Sequence, residues 1–169
     1  MAASKKTALL DSAIATAVTR YASKANTWFY RRTGGRVGGN LRLGAGFRKP
    51  APTLLLEHQG RKSGKTFVSP LIYIADGNDV IVVASAGGRT ENPQWYRNLL
   101  AHPDVYVQIG PDHRAVRAVV ANASERARLW PRLVDAYADY DSYQSGTERE
   151  IPVIILQPRY RFSSVARAR

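Results

Sequence analysis

The chain has 169 residues and a formal net charge of +12, from 25 Lys and Arg against 13 Asp and Glu. It contains no cysteine, which excludes disulfides, thiolate catalysis and Cys-ligated metals. Its three histidines, His58, His102 and His113, are scattered and form no H-E-x-x-H pair, so no metal site is expected.

The length fits one domain with a real core, preceded by a basic extension. Up to Lys49 there are ten basic residues and one acid, Asp11, which places +9 of the charge in residues 1–49. Such a segment attracts an anionic membrane surface, nucleic acid or an acidic ligand, and it also favours plain solubility. Asp11 interrupts the first apolar run, so the N-terminus does not read as a signal peptide. No apolar run reaches the length of a membrane span.

Residues 12–32 read as an amphipathic helix. Ile14, Val18, Tyr21, Ala25, Trp28 and Phe29 recur at three- and four-residue spacing, with Arg20, Lys24 and Arg31 on a flank. That pattern suits a membrane interface and equally suits docking on the protein's own core. Six glycines between Gly34 and Gly46 then form a linker that ends near Pro50 and Pro52. The expected domains are therefore 1–49, helix and linker, and 50–169.

Strands are expected at Thr53 to His58, Phe67 to Ala75 and Val80 to Ala84, the last two joined by a turn at Asp76-Gly77-Asn78-Asp79. Asn92-Pro93 opens a short helix through His102. Val105 to Ile109 and Arg114 to Val120 form a second hairpin around Gly110-Pro111-Asp112. Ser124 opens a helix to about Ala138, and Pro152 to Gln157 is the last strand. Strands mostly joined by tight turns predict an antiparallel sheet, closed as a small barrel.

The stretch QGRKSGKTF, residues 59–67, nearly matches a P-loop. A P-loop needs four residues between its glycines and a helix after it. Here three residues separate Gly60 from Gly64, and the β-branched and aromatic run from Phe67 to Ile74 follows. GRKSGK is therefore read as a hairpin turn. An anion site remains open to it, through backbone N–H groups and the fork of Arg61, with Lys62 and Ser63 as further donors.

The order LLLEHQGRKSGK, SPLIYI-ADG, VVASAGG, ENPQWYRNLLAHPDVYVQIG, WPRLVDAYADYDSYQ and IPVIIL resembles the deazaflavin (F420)-dependent nitroreductase and quinone reductase family. The match runs from Thr53 to Pro158, nearly two thirds of the chain, and NP-x-WY-x-NL is its most specific block. The resemblance implies an α+β split β-barrel of the FMN-binding type. It also implies coenzyme F420, with FMN as runner-up, and hydride transfer to a quinone, nitroaromatic or similar electron-poor acceptor.

F420 is a deazaflavin with a ribityl chain, a phosphate, a lactyl group and an oligoglutamate tail. By resemblance, Arg61, Lys62, Ser63 and Gly64 hold its phosphate end. Pro70, Ala84, Ser85, Ala86, Gly87 and Gly88 lie near the ring, and Asn92, Trp95 and Tyr96 wall the groove. Ser85, Tyr137, Tyr140 and Tyr143 are the implied catalytic set. The three tyrosines share a face if the second helix continues through them.

Phe67 and Ala86 stand where the family often carries cations for the coenzyme tail, and Lys65 is the nearest replacement. The alternative function is a non-catalytic flavin-, deazaflavin- or lipid-binding protein on the same fold. No nucleic-acid motif is visible, and nucleic acid is not an expected partner. The expected location is the cytoplasm, with a peripheral seat on the inner face of the plasma membrane through residues 1–49. Monomer and homodimer stay open.

Overall fold

The computed structural model describes residues 51–159 and the two-residue strand Asn40–Leu41. The expected amphipathic helix at 12–32 and the glycine linker lie outside the described residues.

Six antiparallel strands close a barrel. Strand β1 is Asn40–Leu41, β2 is Ala51–Gln59, β3 is Thr66–Asp76 and β4 is Asp79–Val83. Strand β5 is Asp104–Ile109, β6 is Asp112–Val120 and β7 is Val153–Pro158. The sheet order is β1-β2-β3-β4-β7-β6-β5, and pairing of β2 with β5 closes it. Closure satisfies both edges of the sheet, which an open sheet of this size would leave exposed. The two expected tight hairpins form at Gly77-Asn78 and Gly110-Pro111, with Gly77 and Gly110 at positive φ.

Two apolar clusters explain the sequence pattern. Leu54, Leu56, Val80, Val82, Val107 and Leu156 point into the barrel. Ile81, Val83, Val153 and Ile155 point outward and lie under Leu129 and Leu133 of helix α2, Ala123–Ala136. Strands β4 and β7 are thus buried on both faces and read as continuous apolar runs. Strand β5 has one wet face, so buried Val105 and Val107 alternate with exposed Asp104 and Tyr106. Each fully buried Leu, Ile or Val contributes about 1.5–3 kcal/mol.

Helix α1, Gln94–Ala101, follows Pro93 as its N-cap residue. Asn122, not Ser124, caps α2. Its side chain accepts the Glu125 N–H at 2.9 Å, and the Glu125 carboxylate accepts the Asn122 N–H at 2.8 Å. Helix α2 ends at Ala136, close to the expected Ala138, and does not continue through the tyrosines. Tyr137 leaves the helix at φ −149° and ψ 99°, and a separate helix α3 spans Asp139–Ser145. Asp139 and Asp141 occupy the first turn of α3, where the helix dipole favours carboxylates.

Candidate active site

The GRKSGK stretch is a turn between β2 and β3, as its apolar flanks require. The Gly60 N–H donates to the Lys65 carbonyl at 2.8 Å, and the Gly60 carbonyl accepts the Gly64 N–H at 2.7 Å. Gly64 sits at φ 66°. A Cβ on Gly60 would fall 2.7 Å from the Phe67 ring and from Ser63 Oγ, so a side chain there would force both to move.

The turn is tied to α1. The Arg61 N–H donates to Asn98 Oδ1 at 3.1 Å, and the Arg61 guanidinium donates to Gln94 Oε1 at 2.7 Å. Asn98 therefore presents its amide nitrogen to the other side, where it meets His58 Nδ1 at 3.0 Å. That nitrogen only donates, so Nδ1 accepts and the ring proton sits on Nε2, 3.0 Å from Ser69 Oγ. Burial pushes the His58 pKa down, in keeping with this neutral form. These residues border a cavity of about 520 Å³, together with Lys62, Ser63, Phe67 and Trp95. Phe67 is 47% exposed and stacks on His58 at 5.9 Å.

A second cavity of about 390 Å³ adjoins it, and Trp95 lines both. Pro70 on β3, the loop residues Ser85, Ala86 and Gly87, and all three tyrosines line this second space. Breaking the helix at Tyr137 does not scatter the phenols. The Tyr137 ring lies 5.0 Å from Tyr140 and 6.2 Å from Tyr143. Tyr137 donates its hydroxyl proton to Asp139 at 2.8 Å, so the 3.1 Å contact between the Tyr137 and Tyr143 hydroxyls has Tyr143 as donor. Burial above all, then the bonds to Tyr143 and Asp139, raises the Tyr137 pKa; burial likewise raises that of Tyr140. Both stay protonated at neutral pH.

The remaining sequence-predicted residues line neither cavity. Gly64 is exposed at the end of its turn. Ala84 is fully buried in the barrel core. Gly88 supports the tyrosine helix, since a Cβ there would lie 3.2 Å from the Tyr143 backbone. Asn92 accepts a bond from Arg149 at 2.8 Å. Tyr96 packs against the barrel core, edge-on to Trp95. Sequence reasoning missed His58, Gln94, Asn98 and Arg149. Asn98 stands inside the quoted NP-x-WY-x-NL block, but nothing local marks the other three. A further cavity of about 450 Å³ lies at the opposite end of β3, among paired charges such as Asp112 with Arg114, and touches none of these residues.

Comparison with known proteins settles the family. The family model for F420H2-dependent quinone reductase matches residues 22–158. This chain belongs to the F420H2-dependent quinone reductase family. It is 74% identical over 119 residues to a Mycobacterium tuberculosis protein provisionally named an F420H2-dependent quinone reductase, covering 70% of this chain and all of that one. It is 40% identical over 133 residues to a second M. tuberculosis protein with that name, covering 77% and 85% of the two chains. A solved F420H2-dependent reductase superposes with a TM-score of 0.59 at 37% identity, over 63% of this chain and 94% of that one. As a member of the F420H2-dependent quinone reductase family, the chain is an F420-using oxidoreductase on a split barrel.

Proposed function

We propose that the joined cavities hold F420H2 along their length and reduce a quinone at the tyrosine end. The observation that carries this is Trp95, which lines both spaces and so connects a cationic end to an aromatic one. The residues suit a long ligand that is anionic at one end and planar at the other. Arg61, Lys62 and the Ser63 hydroxyl supply donors for a phosphate. Ser85, Ala86 and Gly87 have small side chains and admit a flat ring close to backbone.

When bound in its reduced form, the coenzyme supplies two electrons together as hydride. The chain then has to hold donor and acceptor in line and keep water out. Trp95, Pro70, Leu71 and Ile72 give the ring end apolar walls. Tyr143 is the phenol best suited to an acceptor oxygen. Its proton now rests on a neutral hydroxyl, whereas that of Tyr137 is committed to Asp139. Turning toward a quinone oxygen, Tyr143 donates a hydrogen bond and orients the acceptor; delivery of the proton that completes reduction follows from the same contact. Nitroaromatics present similar oxygens and are alternative acceptors.

Titration with purified F420, followed by turnover of F420H2 with menadione, tests the reading. Binding with turnover is expected. Tight binding without turnover of any quinone or nitroaromatic favours a coenzyme-binding protein instead, and preference for FMN replaces the coenzyme.

The proposal extends to residues 1–49. Their charge of +9 and the pattern ending in Trp28, Phe29 and Tyr30 suit a peripheral seat on the anionic inner face of the plasma membrane. Each Lys or Arg near such a leaflet contributes about 1 kcal/mol. The full chain should co-sediment with anionic vesicles at low salt, and a chain starting at Lys49 should not. Failure of the full chain to co-sediment removes the membrane role.

A further inference from the structure

Arg149 belongs to the connection between α3 and β7, and it lines neither cavity. Its guanidinium is nevertheless bound on three of its nitrogens to the loop that lines the ring end. Nε donates to the Arg89 carbonyl at 2.8 Å, and Nη1 donates to Asn92 Oδ1 at 2.8 Å. Nη2 donates to the Ser85 carbonyl at 2.8 Å and to the Ala84 carbonyl at 3.3 Å. All four partners are neutral oxygens, so the charge of Arg149 is spent on holding backbone and one amide in place.

The effect on the loop follows from peptide geometry. A trans peptide points its N–H opposite to its C=O, and the described residues contain no cis bond. Drawing the Ala84 and Ser85 carbonyls toward Arg149 turns the N–H groups of Ser85 and Ala86 the other way. Ser85 is right-handed helical and Ala86 sits at φ 50°, the only non-glycine residue at positive φ among the described residues. This alternation makes successive N–H groups converge into a concave anion or oxygen acceptor site. The N–H groups of Ser85, Ala86 and Gly87 take no part in the turn and loop backbone bonds of the described residues. A left-handed alanine is costly, and such strain persists only where surrounding bonds impose it.

Arg149 is itself held. Its carbonyl accepts the Gln144 amide at 2.9 Å, and Gln144 Oε1 accepts both the Ile151 N–H at 2.9 Å and the Arg126 guanidinium at 2.8 Å. Gln144 is on α3, next to Tyr143. One bonded network thus links the helix bearing two of the tyrosines to the loop facing them.

We infer that Arg149 is a positioning residue, which holds the Ser85–Gly87 N–H groups toward the ring end so that they bind an electron-rich oxygen of the coenzyme ring or the acceptor. This rests on the groove assignment proposed above. The test compares wild type with Arg149→Gln, Arg149→Lys and Arg149→Ala, measuring F420 affinity, kcat and KM with menadione, and folding by circular dichroism. The expected result is a folded Arg149→Gln protein with kcat/KM lower by roughly 100-fold, the scale of a misplaced reacting geometry. Arg149→Lys keeps the charge but loses the planar fork and should fall between. Added guanidinium ion should restore part of the activity of Arg149→Ala, and equal ammonium chloride should not. If the guanidinium merely supported the fold, activity would track the folded fraction read by circular dichroism, and guanidinium would restore both together. Wild-type kcat/KM in Arg149→Gln, or in Arg149→Lys if the Gln variant does not fold, overturns the inference, as does equal rescue by both salts. A wild-type protein that binds no F420 overturns the groove assignment instead.

Discussion

The two ends of the groove are built by different means. The cationic end comes largely from one contiguous stretch, with Gly60 to Ser63 in the β2–β3 turn and Phe67 two residues beyond it. The aromatic end gathers β3, the β4–α1 loop, the break between α2 and α3, and the remote Arg149. A local turn needs only its own glycines and hydrogen bonds. A cavity walled by distant elements needs the closed barrel first. The comparison predicts that changes at the cationic end act on affinity with little cost to folding. Changes at the aromatic end disturb stability and turnover together.

Trp95→Ala should break the distinction, because this residue belongs to both ends. Truncating a buried tryptophan costs about 3–5 kcal/mol. A lowered Tm together with loss of F420 binding and of turnover is expected. Retained affinity in a destabilised protein would assign Trp95 to packing alone.

Arg61→Ala and Lys62→Ala should sharpen the distinction. Both residues are at a surface turn, so thermal stability should change little. Losing a charged hydrogen bond costs about 1.5–3 kcal/mol, or roughly 10- to 100-fold in Kd. The loss should shrink at high salt as screening weakens the wild-type contact. Isothermal titration reads it directly, and unchanged Kd in both variants removes the phosphate role.

His58 makes the cationic end sensitive to acid. Its pKa is lowered by burial, so the unfolded chain takes up the proton first as pH falls below its ordinary value of 6.5. Stability should therefore fall as pH drops below about 6.5 and level off beneath the folded pKa. Protonated Nδ1 no longer accepts from Asn98, which holds Arg61, so F420 affinity should fall over the same range. Asp76 gives a separate control at the far end of β3. Its hydrogen bonds to Arg128 and Arg132 hold its pKa at about 2, below the ordinary 3.8. The stability from that ion pair is present above pH 3.8 and is lost as pH falls toward 2. Unfolding curves of His58→Gln against pH should lose the first phase and keep the second.

The smallest effects should come from restoring cations. Phe67 borders the cationic cavity and Ala86 the aromatic one, so the two positions do not act on one contact. Phe67→Arg should tighten F420 binding by up to about 1 kcal/mol, and more at low salt. Ala86→Lys places a bulkier residue at φ 50° and should gain less, or nothing. Equal gains from both would mean that the coenzyme tail reaches the ring end, contrary to the assignment.

The sequence by itself determined the barrel's strands and the β2–β3 turn. Periodicity, β-branched runs and glycine pairs are local signals, and each strand edge falls within two residues of its expected place. It also placed Ser63 beside Arg61, because neighbours in a tight turn stay neighbours. It placed the end of α2 within two residues, but it did not determine how the chain runs on from there. Tyr137, Tyr140 and Tyr143 keep a helical spacing that gives no warning of the break, and they meet because their rings pack beneath β4 and β7. Only the tertiary structure joined His58 to Asn98, 40 residues away, and Arg149 to Ser85, 64 residues away. A lone histidine or arginine has no periodicity to read. Its role depends on which unpaired backbone oxygens and amides the closed barrel brings within hydrogen-bond reach.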